Sequence, residues 1–382
     1  MVRPLKVLCI GGSDSGGGAG IQADLKAAGA CGCYAMTVIT ALTAQNTRGV
    51  QNIFPVPKKF IVAQLDSVLS DIGPDAVKTG MLLTPGAVDV VVRAIVQYSL
   101  KNVVVDPVMT AKGGRNMMRD TAQRAVVRKL MPLASVVTPN IPEAESLAGM
   151  KIRSVVEMKK AAAVISGTGV KYVVIKGGHL PCRKNSGSID IVYDGNEFCE
   201  FSSEWIKTKN THGTGCTFAS VLAASLAQGM NVFQAAGRAK KIVTQSIEQS
   251  LDVGRGHGPV NVSVNKEPQH ECLYLLQTAV NMLKEKRCGQ LIPEVQSNLV
   301  YAETGAVKES QIAGFPGRII RYYDGVHVAA NPEFGASQHM AHVVLTVLKH
   351  DSSYRSAMNI KYSKSIIATC RRIGLAVDHF DR

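Results

Sequence analysis

The stretch Thr211-His212-Gly213-Thr214-Gly215-Cys216 stands where a polar strand end meets the apolar, alanine-rich run 217–228. Glycines at such a junction gather backbone N–H groups at a helix N-terminus, where the dipole also favours negative charge. That suits phosphate binding; a glycine-softened turn that binds nothing is the competing reading. Cys216 falls in the first helical turn. A thiol there is expected to acidify, so that its thiolate accepts a proton, and an inert small residue is the alternative.

Other polar residues follow apolar runs in the same way. Asp106, in Asp106-Pro107-Val108-Met109, comes directly after the strand pattern 102–105. A carboxylate in that place needs a role as a cap, a hydrogen-bond acceptor or a cation ligand. Asn140 and Glu143 stand three apart at a helix start after the strand 135–138. They are either ligand-binding residues or the two halves of a capping box. Lys176-Gly177-Gly178-His179 closes the run 171–175, and Gln45-Asn46 ends the small-residue stretch after 34–40. An amide at a strand end can read a polar heterocycle, because it both donates and accepts. Met81, after the strand 76–78, is a compact apolar contact or a core residue. Asp24, early in a helix beginning near residue 21, either meets a ligand or stabilises its helix. The loop Ser13-Asp14-Ser15-Gly16-Gly17-Gly18-Ala19-Gly20 matches neither nucleotide fingerprint, so a glycine-lined floor or hinge is expected.

The elements that position these residues alternate. Apolar strands at 5–10, 34–40, 76–78, 102–105, 135–138 and 171–175 are separated by helical patterns, among them 58–70 and 85–98. A hairpin at 188–193 and 197–201 turns at Asp194-Gly195, and helices follow at 216–228 and 232–249. This predicts a doubly wound α/β unit, a mostly parallel sheet with helices on both faces and ligands at its carboxyl edge. Residues 265–269 look like a linker. Beyond them a smaller α+β unit is expected, with helices at 270–286, 337–349 and 364–374 and short strands at 299–300, 318–323 and 326–329.

Composition narrows the function class. A chain of 382 residues favours one large domain and a smaller one, and 46% hydrophobic with 5% aromatic residues suits closely packed helices on a sheet. No apolar run would span a bilayer and no signal segment begins the chain, so a cytoplasmic protein is expected, without membrane partners. Nine cysteines show no framework, and Cys31-Gly-Cys33 is too tight for a zinc pair. The formal charge of +14 is dispersed, without a basic run or interleaved aromatics. Anionic small substrates and a solvated surface account for it, and nucleic acid is not expected.

Taken together, these motifs make residues 1–264 resemble the hydroxymethylpyrimidine and phosphomethylpyrimidine kinase family of thiamine biosynthesis, within the ribokinase-like superfamily. The stretches that carry the resemblance are Gly16-Gly17 with Ala19-Gly20-Ile21-Gln22-Ala23-Asp24, Thr40-Ala41-Leu42-Thr43-Ala44-Gln45-Asn46-Thr47, Lys78-Thr79-Gly80-Met81, Asp106-Pro107-Val108-Met109, Lys176-Gly177-Gly178-His179 and Thr208-Lys209-Asn210 through Cys216. Ser15 stands where the family often has proline, and Gly18 is an extra glycine. The resemblance implies ATP, Mg²⁺ and two successive phosphorylations, of 4-amino-5-hydroxymethyl-2-methylpyrimidine and then of its monophosphate. It implies a pyrimidine pocket at Asp24, Gln45, Met81 and Val108. It places Asn140 and Glu143 near Mg²⁺, Lys176 near the phosphates, Asp106 on the metal through water, and Thr211, Gly213 and Gly215 in the anion hole. Cys216 occupies the place of the aspartate base of related sugar kinases.

Residues 292–382 resemble an archaeal-type thiamine-phosphate synthase domain, after a linker and helix at 265–291. Phe315-Pro316-Gly317-Arg318-Ile319, Pro332 through Ala341 and Ala357-Met358-Asn359-Ile360 carry this likeness. It implies that Arg318 and His339 serve the joining of the pyrimidine diphosphate to a thiazole phosphate, whereas a surface ion pair and a helix-start histidine are the bland alternative. The family's domain continues past the point matching Asp378 to Arg382, so a partial domain is expected. A homo-oligomer is expected as well. The alternatives kept open are a pyridoxal-type vitamin kinase and a tail that senses thiamine phosphate without catalysis.

Overall fold

The computed structural model describes residues 3–109, 120–178, 180, 187–262, 267–294, 296–361 and 363–372. His179 and the stretch from Asp378 lie outside them. The chain forms two compact units, residues 1–264 and 265–382.

In chain order the first unit runs β1 (Lys6–Asp14), α1 (Gly20–Ala30), β2 (Tyr34–Asn46), β3 (Gly49–Pro55), α2 (Lys58–Asp71), β4 (Ala76–Thr79), α3 (Pro85–Gln97), β5 (Val103–Val105) and α4 (Asp120–Ala125). It continues with β6 (Val136–Val137), α5 (Ile141–Ala148), α6 (Val155–Ser166), β7 (Tyr172–Ile175), β8 (Ser188–Tyr193), β9 (Phe198–Ser203), α7 (Thr214–Ala227) and α8 (Val232–Glu248). Among the described residues the strands form one sheet in the order β3-β2-β1-β4-β5-β6-β7-β8-β9. The six from β2 to β7 are parallel, and β3, β8 and β9 pair antiparallel at the edges. The expected doubly wound, mostly parallel architecture is what forms.

Alternation along the strands builds two cores, because successive side chains point to opposite faces. Leu8, Ile10, Val103, Val105, Val173 and Ile175 pack on one face with residues of α2, α3, α5 and α6. Val7, Cys9, Val104 and Val174 pack on the other with Ala27 and Ala28 of α1, the alanines of α7 and Ala235, Ala236 and Ala239 of α8. Small residues at these helix contacts allow close approach to the sheet, which explains the alanine-rich run after Cys216.

Two boundaries differ from the sequence reading. β1 does not stop at Ile10 but passes through a register shift at Gly11/Gly12 and continues to Asp14, carrying Ser13 and Asp14 to the sheet's carboxyl edge. β2 runs on through Gln45 because β3, unrecognised in the sequence, pairs with its distal half and shifts register between Ala44 and Gln45. Pairing, not apolar pattern, extends both strands.

The second unit comprises α9 (Glu267–Glu285), β10 (Leu299–Ala302), β11 (Ile312–Gly314), β12 (Ile319–Tyr322), β13 (Gly325–Val328), β14 (Glu333–Phe334), α10 (Gln338–His350), β15 (Ser356–Met358) and α11 (Lys364–Arg372). α9 begins at Glu267, inside the stretch expected as a linker. One antiparallel sheet has the order β14-β11-β10-β15, and β12-β13 is a separate hairpin. Cys272, Leu276 and Val280 of α9 bury against Phe315, Ile319 and Val326, while Met340, Ala341 and Val344 of α10 pack on Val300, Ala302 and Ile312.

Candidate active site

Gly213 opens α7 from the left-handed region, at φ 84°, with no side-chain cap and no acidic residue in the first turn. Glycine takes that conformation without strain. The amides at the start of α7 are therefore left to an external acceptor, the arrangement of an anion site. A Cβ on Gly213 would lie 1.9 Å from the carbonyl oxygen of Gly18, so the glycine loop before α1 rests directly on this turn.

A lysine and a carboxylate close the other side. A Cβ on Gly215 would sit 3.4 Å from Lys176 Nζ and 3.7 Å from Asp106 Oδ2, so both groups border the same turn. Lys176 Nζ donates to Asp106 Oδ1 at 2.9 Å, and Thr138 Oγ1 donates to the same oxygen at 3.2 Å. Burial works against the Lys176 charge, but Asp106 and Glu143 outweigh it and hold the ammonium above its usual range. Asn140 and Glu143 form the full capping box of α5: Asn140 N donates to Glu143 Oε2 at 2.9 Å, and Glu143 N to Asn140 Oδ1 at 3.0 Å. Burial raises the Glu143 carboxyl above its usual range, helped by the nearby Asp106 and opposed by Lys176. Thr211 stands half-buried two residues before Gly213.

No group of three or more metal-ligating side chains stands among the described residues. Glu143 gives one oxygen to Asn140 N and the other to Met109 N at 3.4 Å. Asp106 Oδ1 is taken by Lys176 and Thr138, whereas Oδ2 borders Gly215. Two oxygen-bearing side chains without a closed cage fit Mg²⁺, which keeps several waters and binds through one or two carboxylates beside phosphates.

Beneath the turn lies a second charged pair, missed in the sequence as a site feature. Lys78, 1% exposed, donates to both oxygens of Asp24 at 2.8 Å, and Ser220 Oγ of α7 donates to Asp24 Oδ1 at 2.8 Å. Burial alone would push the Asp24 carboxyl up, yet two contacts this short are those of an ion pair. Burial opposes the Lys78 charge too, and Asp24 with its acidic neighbours overrides it, keeping the ammonium well above its usual range. Asp24, expected at the pyrimidine, is fully enclosed and engaged on both oxygens. The signal available beforehand was a lysine directly after Ala76 and Val77 in the strand pattern 76–78.

Cys216 corrects an expectation. Its thiol does not acidify: burial pushes it up to about 11, with Asp24 and Asp106 adding to the rise against Lys78 and the Gly20 N–H. Desolvation of a thiolate beside two carboxylates exceeds what one helix N-terminus and one lysine return.

The expected apolar pocket residues do meet. Met81 and Val108 cluster with Ala41, Val50, Ile53 and Leu83, and a Cβ on Gly12 would lie 2.3 Å from Met81 Cε. Thr40 Oγ1 holds the Met81 carbonyl at 2.6 Å. Gln45 is half-buried on β2, its side chain 3.2 Å from His212 Nε2. His212 also contacts Asp14 Oδ2 at 2.9 Å. Neither His212 nor Asp14 stood out in the sequence as a site residue. Burial works against the Asp14 charge, but the His212 contact and the amides of Gly16 and Ala19 hold its carboxyl below the usual range.

In the second unit, Arg318 is exposed just before β12 and His339 is exposed in the first turn of α10.

Comparison with known proteins gives this arrangement a family. Residues 14–261 match the phosphomethylpyrimidine kinase model and residues 275–382 the thiamine-phosphate synthase ThiN model. The thiamine biosynthesis bifunctional protein ThiED of Geobacter sulfurreducens is 51% identical over 255 residues, 67% of this chain; the chain spans only 51% of that relative's length. The hydroxymethylpyrimidine/phosphomethylpyrimidine kinase of Bacillus subtilis is 45% identical over 256 residues, 67% of this chain and 94% of its own. A Bacillus subtilis pyridoxal kinase, solved as an ADP complex, superposes with a TM-score of 0.64 at 40% identity, over 69% of this chain and 99% of its own. Sequence match and fold agree, and the chain belongs to the phosphomethylpyrimidine kinase family of ribokinase-like phosphotransferases, with a thiamine-phosphate synthase ThiN segment fused behind it.

Proposed function

We propose that residues 1–264 use Mg-ATP to phosphorylate 4-amino-5-hydroxymethyl-2-methylpyrimidine and then its monophosphate, giving the diphosphate. The observation that carries this reading is the meeting of three groups at Gly215: the uncapped amides of α7, Lys176 Nζ and Asp106 Oδ2. Phosphoryl transfer asks mainly for positioning and charge stabilisation, and the amides and the ammonium suit a phosphoryl group in flight. Thr211, Gly213 and Gly215 line the anion hole, and Lys176 neutralises phosphate charge. Asp106 and Glu143 would hold Mg²⁺, which would offset the charge of the phosphates. Asn140 fixes Glu143 through its cap.

The acceptor is oriented by Gln45 against the apolar surface of Met81 and Val108, and the glycine loop over α7 excludes water. Asp24 supports this floor through Lys78 without touching the acceptor. In the first transfer the thiolate of Cys216, its minor form, takes the alcohol proton; the second acceptor, a phosphate with a second pKa of about 6, needs no such help. In the tail, Arg318 suits a pyrophosphate and His339 an anionic partner in joining the diphosphate to a thiazole phosphate.

A pyridoxal kinase is the second reading, favoured by the solved relative of that name. A panel of the pyrimidine alcohol, its monophosphate and pyridoxal with Mg-ATP tests both. The expected outcome is a kcat/KM for the two pyrimidines at least about tenfold above pyridoxal, the order of one well-used polar contact. Preferential turnover of pyridoxal would overturn the assignment.

A further inference from the structure

The Asp14 carboxylate is encircled by donors. Gly16 N reaches Oδ1 at 2.8 Å, Gly18 N and Ala19 N reach Oδ2 at 3.1 and 2.8 Å, and His212 Nε2 lies 2.9 Å from Oδ2. Asp14 is 3% exposed, and an ionised carboxylate only accepts. His212 Nε2 must therefore carry a proton, whether the ring is neutral or charged.

That proton dictates the group on the other side of the ring. The Gln45 side-chain amide lies 3.2 Å from the same nitrogen at one end and 3.1 Å from Thr43 Oγ1 at the other. As placed, Gln45 Nε2 faces His212 Nε2 and Oε1 faces Thr43 Oγ1, which sets two donors against each other at His212; the amide oxygen and nitrogen, alike in shape, must be exchanged. Thr43 has one hydroxyl proton, and it goes to the Ser13 carbonyl at 2.9 Å. Its oxygen can then only accept from Gln45. Both ends require the turned amide, with Oε1 toward His212, sharing the Nε2 proton with Asp14, and Nε2 toward Thr43. The Gln45 backbone is held as well, since Ser15 Oγ donates to its carbonyl and accepts from its N–H, each at 2.8 Å.

We propose that His212, held by Asp14, is a positioning residue that fixes the orientation of the Gln45 amide and so the donor–acceptor order offered to the acceptor substrate. With one lone pair and one N–H of the amide committed, one of each remains, in a single order. An aminopyrimidine edge presents a ring-nitrogen acceptor beside an amino donor. Its oxo counterpart presents the reverse, N–H beside carbonyl, and an amide that cannot turn rejects it. The inference rests on the pyrimidine-kinase reading for its substrate, though not for its geometry.

The test has two parts on the full chain. ¹⁵N NMR of the unaltered protein, with His212 assigned by the His212→Gln spectrum, should find a proton on Nε2; a bare Nε2 overturns the proposal outright. Kinetics then compare the aminopyrimidine alcohol with its 4-oxo analogue. His212→Phe should lower the amino-over-oxo ratio of kcat/KM at least about tenfold, and His212→Gln, which keeps an N–H donor, should restore most of it. An equal loss on both substrates, with the ratio unchanged, would reduce His212 to a packing role and overturn the inference. If the unaltered enzyme phosphorylates neither pyrimidine, the functional reading fails, and the proton on Nε2 still decides the geometry. Should His212→Phe not fold, as read by circular dichroism, the NMR result and the His212→Gln ratio carry the decision.

Discussion

At Cys216 two opposing influences meet in one side chain. The start of α7, the Gly20 N–H and Lys78 favour a thiolate; burial, Asp24 and Asp106 oppose it, and the thiol stands near 11. At neutral pH only about one molecule in ten thousand then carries the thiolate. If Sγ takes the alcohol proton, the first transfer should accelerate with pH from 6 to 9, because more thiolate forms as pH approaches its pKa. The second transfer should stay flat above about pH 6, where its acceptor is already ionised. Cys216→Ala should remove the slope and slow the first transfer about 100-fold, the lower range for general-base help, while sparing the second. A first transfer that plateaus below pH 8, or keeps its slope in Cys216→Ala, would exclude the thiol as base. The position of Cys216 was legible in the sequence as a residue after a glycine turn. Its acidity was not, because the opposing carboxylates come from α1 and the end of β5.

Lys78 ties three elements together at one point: β4, α1 through Asp24, and α7 through Ser220. Removing one partner of a buried pair leaves an uncompensated charge, which costs more than the pair's net worth. Lys78→Met should therefore destabilise the first unit by about 3–5 kcal/mol in urea denaturation, and adding Asp24→Leu should recover most of the loss. A single-variant loss below about 1 kcal/mol, or no recovery in the double, would show that the pair is not what joins these elements. The sheet itself was readable because a parallel strand buried on both faces is a short apolar run. Val103–Val105 and Tyr172–Ile175 are such runs. β3 escaped because Gly49–Pro55 is largely exposed and its apolar Val50, Ile53 and Phe54 do not alternate, and Asp14 escaped because a bulge carries β1 beyond its apolar residues. Lys78 and Asp24, fifty-four positions apart, are neighbours only through the pairing of β4 with β1 and the packing of α1.

The molecule as a whole joins a phosphotransferase unit to a second unit with its own core. Its formal charge of +14 accords with a phosphate donor and phosphorylated products, without calling on nucleic acid. No helix among the described residues is long and apolar enough to cross a membrane. The central claim is that one site at the carboxyl edge of the sheet, centred on Gly215, phosphorylates the pyrimidine alcohol and then its monophosphate. The most direct test follows both products by ³¹P NMR with Mg-ATP and the pyrimidine alcohol, in the unaltered chain and in Lys176→Ala. The account predicts monophosphate followed by diphosphate, with both transfers at least about 100-fold slower in the variant, the scale of losing one charged stabiliser of the transferred group. Monophosphate that never advances, or a second transfer that survives Lys176→Ala undiminished, would contradict a single site for both steps.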